Sequence, residues 1–232
     1  SWAMPGAQPL QCHVCIIGYP RSGSTLLYLM VHECVESVRV YPKEMSAINI
    51  ARRSLRNRRF LVTKRPLDTF WVDEIRDFYR RRRADCRFVA LTRDPRSVLT
   101  SIHVKRDDYF VTIDRWKALR THLEYVTTFD DVIRIDYRDI IESCDEVERR
   151  MSAFVNWSVK KPFRSFHVDR KSELVTRAMN GVRPLDSSAL QKWRDPKHHG
   201  RIRELLEEID DLPEFLIREG YESDTAWVNN YK

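Results

Sequence analysis

Near its start the chain carries a strand-to-helix junction that narrows its fold more than any other segment. The apolar run Val14-Cys15-Ile16-Ile17 ends at Gly18, passes through Tyr19-Pro20-Arg21-Ser22-Gly23-Ser24, and enters Thr25-Leu26-Leu27-Tyr28-Leu29-Met30-Val31, a stretch of helical length and composition. A buried strand feeding a helix through a Gly-containing loop predicts parallel βαβ units. The loop also predicts an anion site. Amides that open a helix have no intrahelical partner, and the helix dipole favours negative charge beside them. Ser22, Gly23, Ser24 and Thr25 supply those amides, and Gly23 lets the backbone approach closely.

The alternation continues downstream. Short strands are predicted at Val38 to Tyr41, Phe60 to Thr63, Arg87 to Leu91 and Val132 to Ile135. Helices are predicted over Met45 to Leu55, from near Asp68, over Arg96 to His103 behind Asp94-Pro95, and over Thr112 to Thr128. Another follows Ser143, where Glu146 completes a capping box. Lys160 to Lys197 is polar, basic and Pro-interrupted, which predicts loops over the active face until Ile202 to Ile209 resumes a helical stripe. The expected fold is α/β: three layers, with a mostly parallel central sheet of about five strands flanked by helices, of the P-loop nucleotide-kinase-like kind. At 232 residues, one core and one domain over residues 1–232 are expected, with 1–11 a tail or an expression scar.

Lys plus Arg is 41 against 34 Asp plus Glu, a net charge of +7, which points to an anionic partner where the excess clusters. It clusters at Arg52, Arg53, Arg56, Arg58 and Arg59, and at Arg80 to Arg83, although both groups also suit a solvated surface. Five cysteines form an odd, sparse set unlike a disulfide scaffold, so a reducing, cytoplasmic location is expected. Cys12 and Cys15 form a CxxC with no second ligand pair at close spacing, which reads as buried strand cysteines. No run approaches the roughly 20 apolar residues of a membrane span, and no charged start followed by an apolar stretch marks a secretory signal.

In a nucleoside-triphosphate loop a Lys follows the second Gly; here Ser24 stands there and the cation is Arg21. That shift keeps an anion site but disfavours ATP hydrolysis. A second anion site is suggested by Arg93 at a strand end and Ser101 beyond it, since ligands of open parallel sheets sit past the carboxyl ends of strands. The alternative for Arg93-Asp94-Pro95 is a salt-bridged turn.

The loop Tyr19 to Thr25 together with Arg93 and Ser101, eight positions apart, resembles the sulfotransferases that use 3'-phosphoadenosine 5'-phosphosulfate (PAPS), closest to their bacterial and carbohydrate-acting branch. Lys192-Trp193-Arg194 is similar to that family's Trp-Arg element, and Leu216 to Tyr221 to its closing segment, so the resemblance covers nearly the whole chain. It implies that Arg21, Ser22, Gly23, Ser24 and Thr25 hold the 5'-phosphosulfate, that Arg93 and Ser101 hold the 3'-phosphate, and that Trp193 and Arg194 join the cofactor site. Arg21 would stabilise the leaving side.

The His that many cytosolic members carry on the third strand is absent, because the sequence there reads Thr63-Lys64-Arg65-Pro66. The glycan-acting branch resembles Lys43-Glu44 instead. Glu44 is therefore the expected base, Lys64 a sulfonate contact and His103 a reserve base. Glu44 serves equally as a helix N-terminal carboxylate balancing the dipole. Arg177, Arg183 and Arg194 could line the cofactor or an acidic acceptor. No metal is called for, since arginines, lysine and amides neutralise the donor, and His198 and His199 read as loop. Expected partners are a small-molecule or glycan acceptor, and no nucleic acid.

Two rivals stand beside this reading. A P-loop kinase acting on a small molecule would hold Mg²⁺ through a loop hydroxyl and a strand-end Asp, for which Asp136 is the candidate. A non-catalytic polyanion-binding domain would rest on the Arg clusters and six Trp, with affinity falling steeply in salt.

Overall fold

A computed structural model describes residues 10–41, 43–54, 59–82, 84–103, 108–168 and 185–232. Five strands, β1 (Cys12–Gly18), β2 (Val38–Val40), β3 (Phe60–Lys64), β4 (Asp85–Thr92) and β5 (Val132–Asp136), form one all-parallel sheet in the order β2-β3-β1-β4-β5. Every residue of β1 is buried, which is why its sequence is a continuous apolar run rather than an alternation. The predicted α/β sheet is therefore present, and all of it is parallel.

Alternate residues of β1 face opposite layers. Cys12, Val14 and Ile16 join Phe60, Val62, Val89, Leu91 and Ile135 in a core with α1 (Ser24–Cys34) and α7 (Cys144–Val155). His13, on the other side, bonds the Tyr79 hydroxyl of α3 (Val72–Arg80) at 2.6 Å and the Thr63 hydroxyl at 2.9 Å. Burying that imidazole is tolerable because both ring nitrogens are satisfied.

The chain divides into two compact units, residues 1–92 with 119–186 and residues 93–118 with 187–232. The sheet lies in the first. The second is organised around Arg96, only 1% exposed, whose guanidinium carbon sits 3.7 Å from the Trp193 ring centre and 4.6 Å from that of Trp227. Asp94 at 2.7 Å and Glu222 at 2.6 Å balance its charge, the pairing that makes such burial affordable. Helices His199–Glu208 and Leu212–Arg218 complete this unit, with Trp116 edge-on to Phe215 at 5.6 Å.

Three local expectations are corrected. The helix behind Asp94-Pro95, α4, spans Pro95–Leu99 and not Arg96 to His103. The Thr100 hydroxyl donates to the Arg96 carbonyl at 2.6 Å, and Ile102 pairs antiparallel with Tyr109, so a run containing two β-branched residues leaves the helix. Ser101 and His103 consequently lie beyond α4. The helix expected near Asp68 opens as a 3-10 turn, Pro66–Trp71, and becomes α-helical only at Val72, because Asp68 and Thr69 direct their side chains to other segments. The Ser143–Glu146 capping box does not form. Ser143 closes α6 (Tyr137–Glu142) as well as opening α7, with its N–H on the Asp139 carbonyl, and Glu146 turns to Arg149 at 2.8 Å.

Of the two arginine clusters, Arg52, Arg59 and Arg80 to Arg82 are exposed. The side chain of Arg53, and Arg56, Arg58 and Arg83, lie outside the described residues. None of the five cysteines is in a disulfide, and Cys12 and Cys15 are buried on β1. Burial, with the Cys15 charge beside it, pushes the Cys12 thiol up to about 12; burial likewise pushes Cys34 to about 12 and Cys144 to about 11. Only a thiolate is a competent nucleophile. Iodoacetamide at pH 7 is thus expected to leave these three untouched in the native chain while alkylating all of them in urea, as peptide mass spectrometry will read.

Candidate active site

In the first unit the loop between β1 and α1 begins where β1 touches β4. Gly18 has φ 121, and a Cβ there would overlap the Leu91 backbone, so this turn admits only glycine. The Gly18 N–H donates to Thr69 Oγ1 at 2.9 Å and the Tyr19 N–H to the Leu91 carbonyl at 3.0 Å, fixing the loop's origin. Arg21 follows, exposed, at φ 66. Buried Ser22 donates its hydroxyl to the Tyr19 carbonyl at 2.5 Å, closing the loop on itself. Gly23, at φ 88 and ψ 15, is the N-cap of α1 and supplies no side-chain cap bond.

The ladder of α1 starts with the Leu27 N–H on the Gly23 carbonyl at 3.0 Å. The amides of Ser24, Thr25 and Leu26 precede that first bond, and with the positive dipole end they leave this helix start suited to an anion. The Ser22 N–H, which the sequence groups with Gly23, Ser24 and Thr25, is directed to the Tyr19 carbonyl at 3.3 Å instead.

Lys64, the last residue of β3, is delivered to the same helix start. Its Nζ donates to Thr25 Oγ1 at 3.0 Å, lies 3.5 Å from Glu44 Oε1, and sits 5.8 Å from the Tyr28 ring centre. The side chain of Lys64 is 8% exposed and that of Glu44 is 55% exposed. A largely desolvated ammonium beside a solvent-reaching carboxylate is an arrangement suited to charge stabilisation on one side and proton uptake on the other. Three of the expected residues, Thr25, Lys64 and Glu44, are thereby brought together.

Pattern reading missed Asp68 and Thr69. Asp68 Oδ2 accepts the Ala47 N–H at 2.9 Å, while Oδ1 accepts Arg65 Nη1 at 3.0 Å. Burial raises the Asp68 carboxyl above its ordinary range, against the opposing pull of those two donors. An Asp-Thr pair after Pro looks like any helix start; nothing local announces these tertiary bonds.

The second unit carries the other expected residues. Half-buried Arg93 donates from Nη2 to the Ala189 carbonyl at 2.8 Å. Asp94 caps α4 through the Arg96 N–H at 2.8 Å, and its carboxylate pairs with Arg96. Ser101 Oγ donates to the Ser97 carbonyl at 3.1 Å, and Ser97 Oγ to that of Leu190 at 3.4 Å, so the turns of 187–194 pack against α4. Trp193 is buried under Arg96, whereas Arg194 is exposed, bonded to Gln191 Oε1 at 2.5 Å. His103 stacks on Phe110 with ring centres 5.4 Å apart. Buried Arg96, the keystone of this unit, escaped sequence reading because its aromatic partners lie 97 and 131 positions downstream. Arg177 and Arg183 lie outside the described residues.

Asp136, the carboxylate a kinase would need, caps α6 through the Arg138 N–H at 2.8 Å and accepts the Thr92 hydroxyl at 3.0 Å. His198 is buried, 3.4 Å from the Tyr109 hydroxyl. Among the described residues no helix is long and apolar enough to cross a membrane.

No family model matches the chain, and no curated protein matches it. Solved structures do. The sulfotransferase domain of the Synechococcus PCC 7002 olefin synthase is 17% identical with a TM-score of 0.57, covering 84% of this chain and 91% of that one. The sulfotransferase domain of the curacin biosynthetic pathway is 17% identical with a TM-score of 0.56, covering 86% and 99%. A mouse sulfotransferase complexed with PAP is 14% identical with a TM-score of 0.50, covering 84% and 83%. The chain has the sulfotransferase fold.

Proposed function

We propose that residues 1–232 act as one sulfotransferase domain that moves a sulfuryl group from PAPS to a hydroxyl of a carbohydrate or small-molecule acceptor by in-line displacement. The observation that carries this reading is the junction of Lys64, Thr25 and Glu44 at the start of α1, on a sulfotransferase fold. The PAP in the mouse neighbour supports the choice of donor.

In this mechanism Arg21 and the loop from Ser22 and Gly23 into the Ser24 and Thr25 amides receive the 5'-phosphosulfate and offset the charge that grows on the leaving oxygen. Lys64 orients the sulfonate. Glu44 takes the acceptor proton as the acceptor oxygen meets sulfur, with His103 as the second candidate for that task. Arg93 and Ser101 take the 3'-phosphate, with the Trp193–Arg194 element beside them. The residues of the first unit suit the anionic end of such a donor: a glycine-capped helix start, a desolvated ammonium and the exposed Arg21 in the loop after β1. The cations present already neutralise it, so the reading calls for no metal. The sparse cysteines favour a cytoplasmic setting.

Isothermal calorimetry with adenosine 3',5'-bisphosphate (PAP) tests the donor site. One molecule bound per chain is expected, with Arg93→Ala weakening it roughly 10- to 100-fold, the worth of a charge-assisted phosphate contact. Labelled PAPS offered to a panel of saccharides, phenols and alcohols then reads transfer. No heat with PAP would end the enzymatic reading.

A further inference from the structure

The exit of β3 does more than deliver Lys64. Within six residues it sends side chains to three separate parts of the first unit. Lys64 goes to Thr25 and Glu44, Asp68 to the Ala47 amide, and Thr69 to the Gly18 amide. Thr69 is itself fixed, its hydroxyl donating to the Pro66 carbonyl at 2.7 Å.

Ala47 is the first residue of α2 (Ala47–Ser54), three positions after Glu44. Asp68 therefore supplies a helix-start amide with an acceptor from 21 positions downstream, and at 1% exposure it does so out of water's reach. Glu44 is on the exposed side of its ion pair, where solvent competes with Lys64 for the carboxylate. Three residues of backbone extend about 10 Å at most, so the anchored end of α2 bounds where that carboxylate can go. A catalytic base misplaced by about 1 Å can cost roughly a hundredfold in rate.

We propose that Asp68 is a positioning residue for Glu44, acting through the Ala47 amide, while its neighbour Thr69 positions the donor loop through Gly18. The inference rests on the reading of Glu44 as proton acceptor. It makes two adjacent residues differ in kind: one governs turnover and the other governs donor affinity.

The test measures kcat with labelled PAPS and the best acceptor of the panel, together with PAP affinity by calorimetry and the melting temperature. Asp68→Ala is expected to lower kcat roughly 10- to 100-fold with PAP affinity within about twofold. Asp68→Asn should recover most of that loss, because its amide oxygen still accepts from Ala47. Thr69→Val should do the reverse, weakening PAP roughly tenfold with kcat at saturating donor little changed. Adding Asp68→Ala to Glu44→Gln should cost little beyond Glu44→Gln alone.

Should Asp68→Ala fail to fold, Asp68→Leu, close to Asp in shape and without an acceptor, leaves no cavity and should reproduce the kcat loss. Wild-type kcat in Asp68→Ala or Asp68→Leu, beside an impaired Glu44→Gln, overturns the inference alone. Parallel losses of PAP affinity and melting temperature in Asp68→Ala also overturn it, since they mark a merely structural role. Wild-type turnover in Glu44→Gln overturns the Glu44 reading and this inference with it.

Discussion

Gly18→Ala is expected to lower stability by about 3–5 kcal/mol and to abolish PAP binding in whatever fraction stays folded. Two costs add. At φ 121 an alanine is strained wherever it stands, and here its Cβ would also enter the backbone of Leu91. Backbone in the middle of a sheet cannot step aside, because Gly18 and Leu91 are register partners and the Tyr19 amide is bonded to the Leu91 carbonyl. Gly23→Ala is the control. At φ 88 it is strained as well, but its Cβ would meet the Tyr137 ring, a side chain and not the sheet backbone, so a smaller loss of about 1–3 kcal/mol is expected. Urea unfolding of both variants checks the order, and a wild-type midpoint for Gly18→Ala would refute the close approach.

Lys64→Met is expected to cut sulfuryl transfer roughly 100- to 1,000-fold while leaving the melting temperature within a few degrees. The ammonium is largely buried and its carboxylate partner is not, so removing the charge strands no buried anion and the methionine stem refills the volume. On the proposed reading Lys64 meets the sulfonate, which PAP lacks. PAP affinity should therefore change less than about threefold, and a parallel collapse of PAP binding would reassign Lys64 to the phosphate. Lys64→Arg should not restore the rate, since a planar fork cannot occupy the space of a compact ammonium between Thr25 and Glu44.

What the sequence made legible was whatever local chemistry decides. The run Val14 to Ile17 announced a buried strand, Gly23 marked a loop whose backbone approaches closely, and Asp94-Pro95 marked a helix start that the Asp94 carboxylate does cap. Glu44 and Lys64 were named from a family resemblance, and they do meet at 3.5 Å. What stayed hidden was decided at long range. Thr100 could as well have continued α4, and the chain leaves the helix for the Ile102–Tyr109 bridge, a pairing set by a segment the local pattern does not show. Ser143 looked like a free cap because nothing in the pattern shows α6 ending on the same residue. Asp68 and Thr69 carry their meaning in amides 21 and 51 positions away.

The strand order has a consequence for how the chain is made. β1 leaves the ribosome first, yet Cys12 finds its partners only at Phe60 and Asp85, 48 and 73 positions later. At roughly 5–20 residues per second, that separation leaves the most apolar strand without its first neighbour for about 2–10 seconds of synthesis and without its second for about 4–15 seconds. Pairings this distant close slowly even in the finished chain. The nascent protein therefore carries Val14 to Ile17 unpaired through that interval, the stage at which an apolar strand is most exposed to association with other chains.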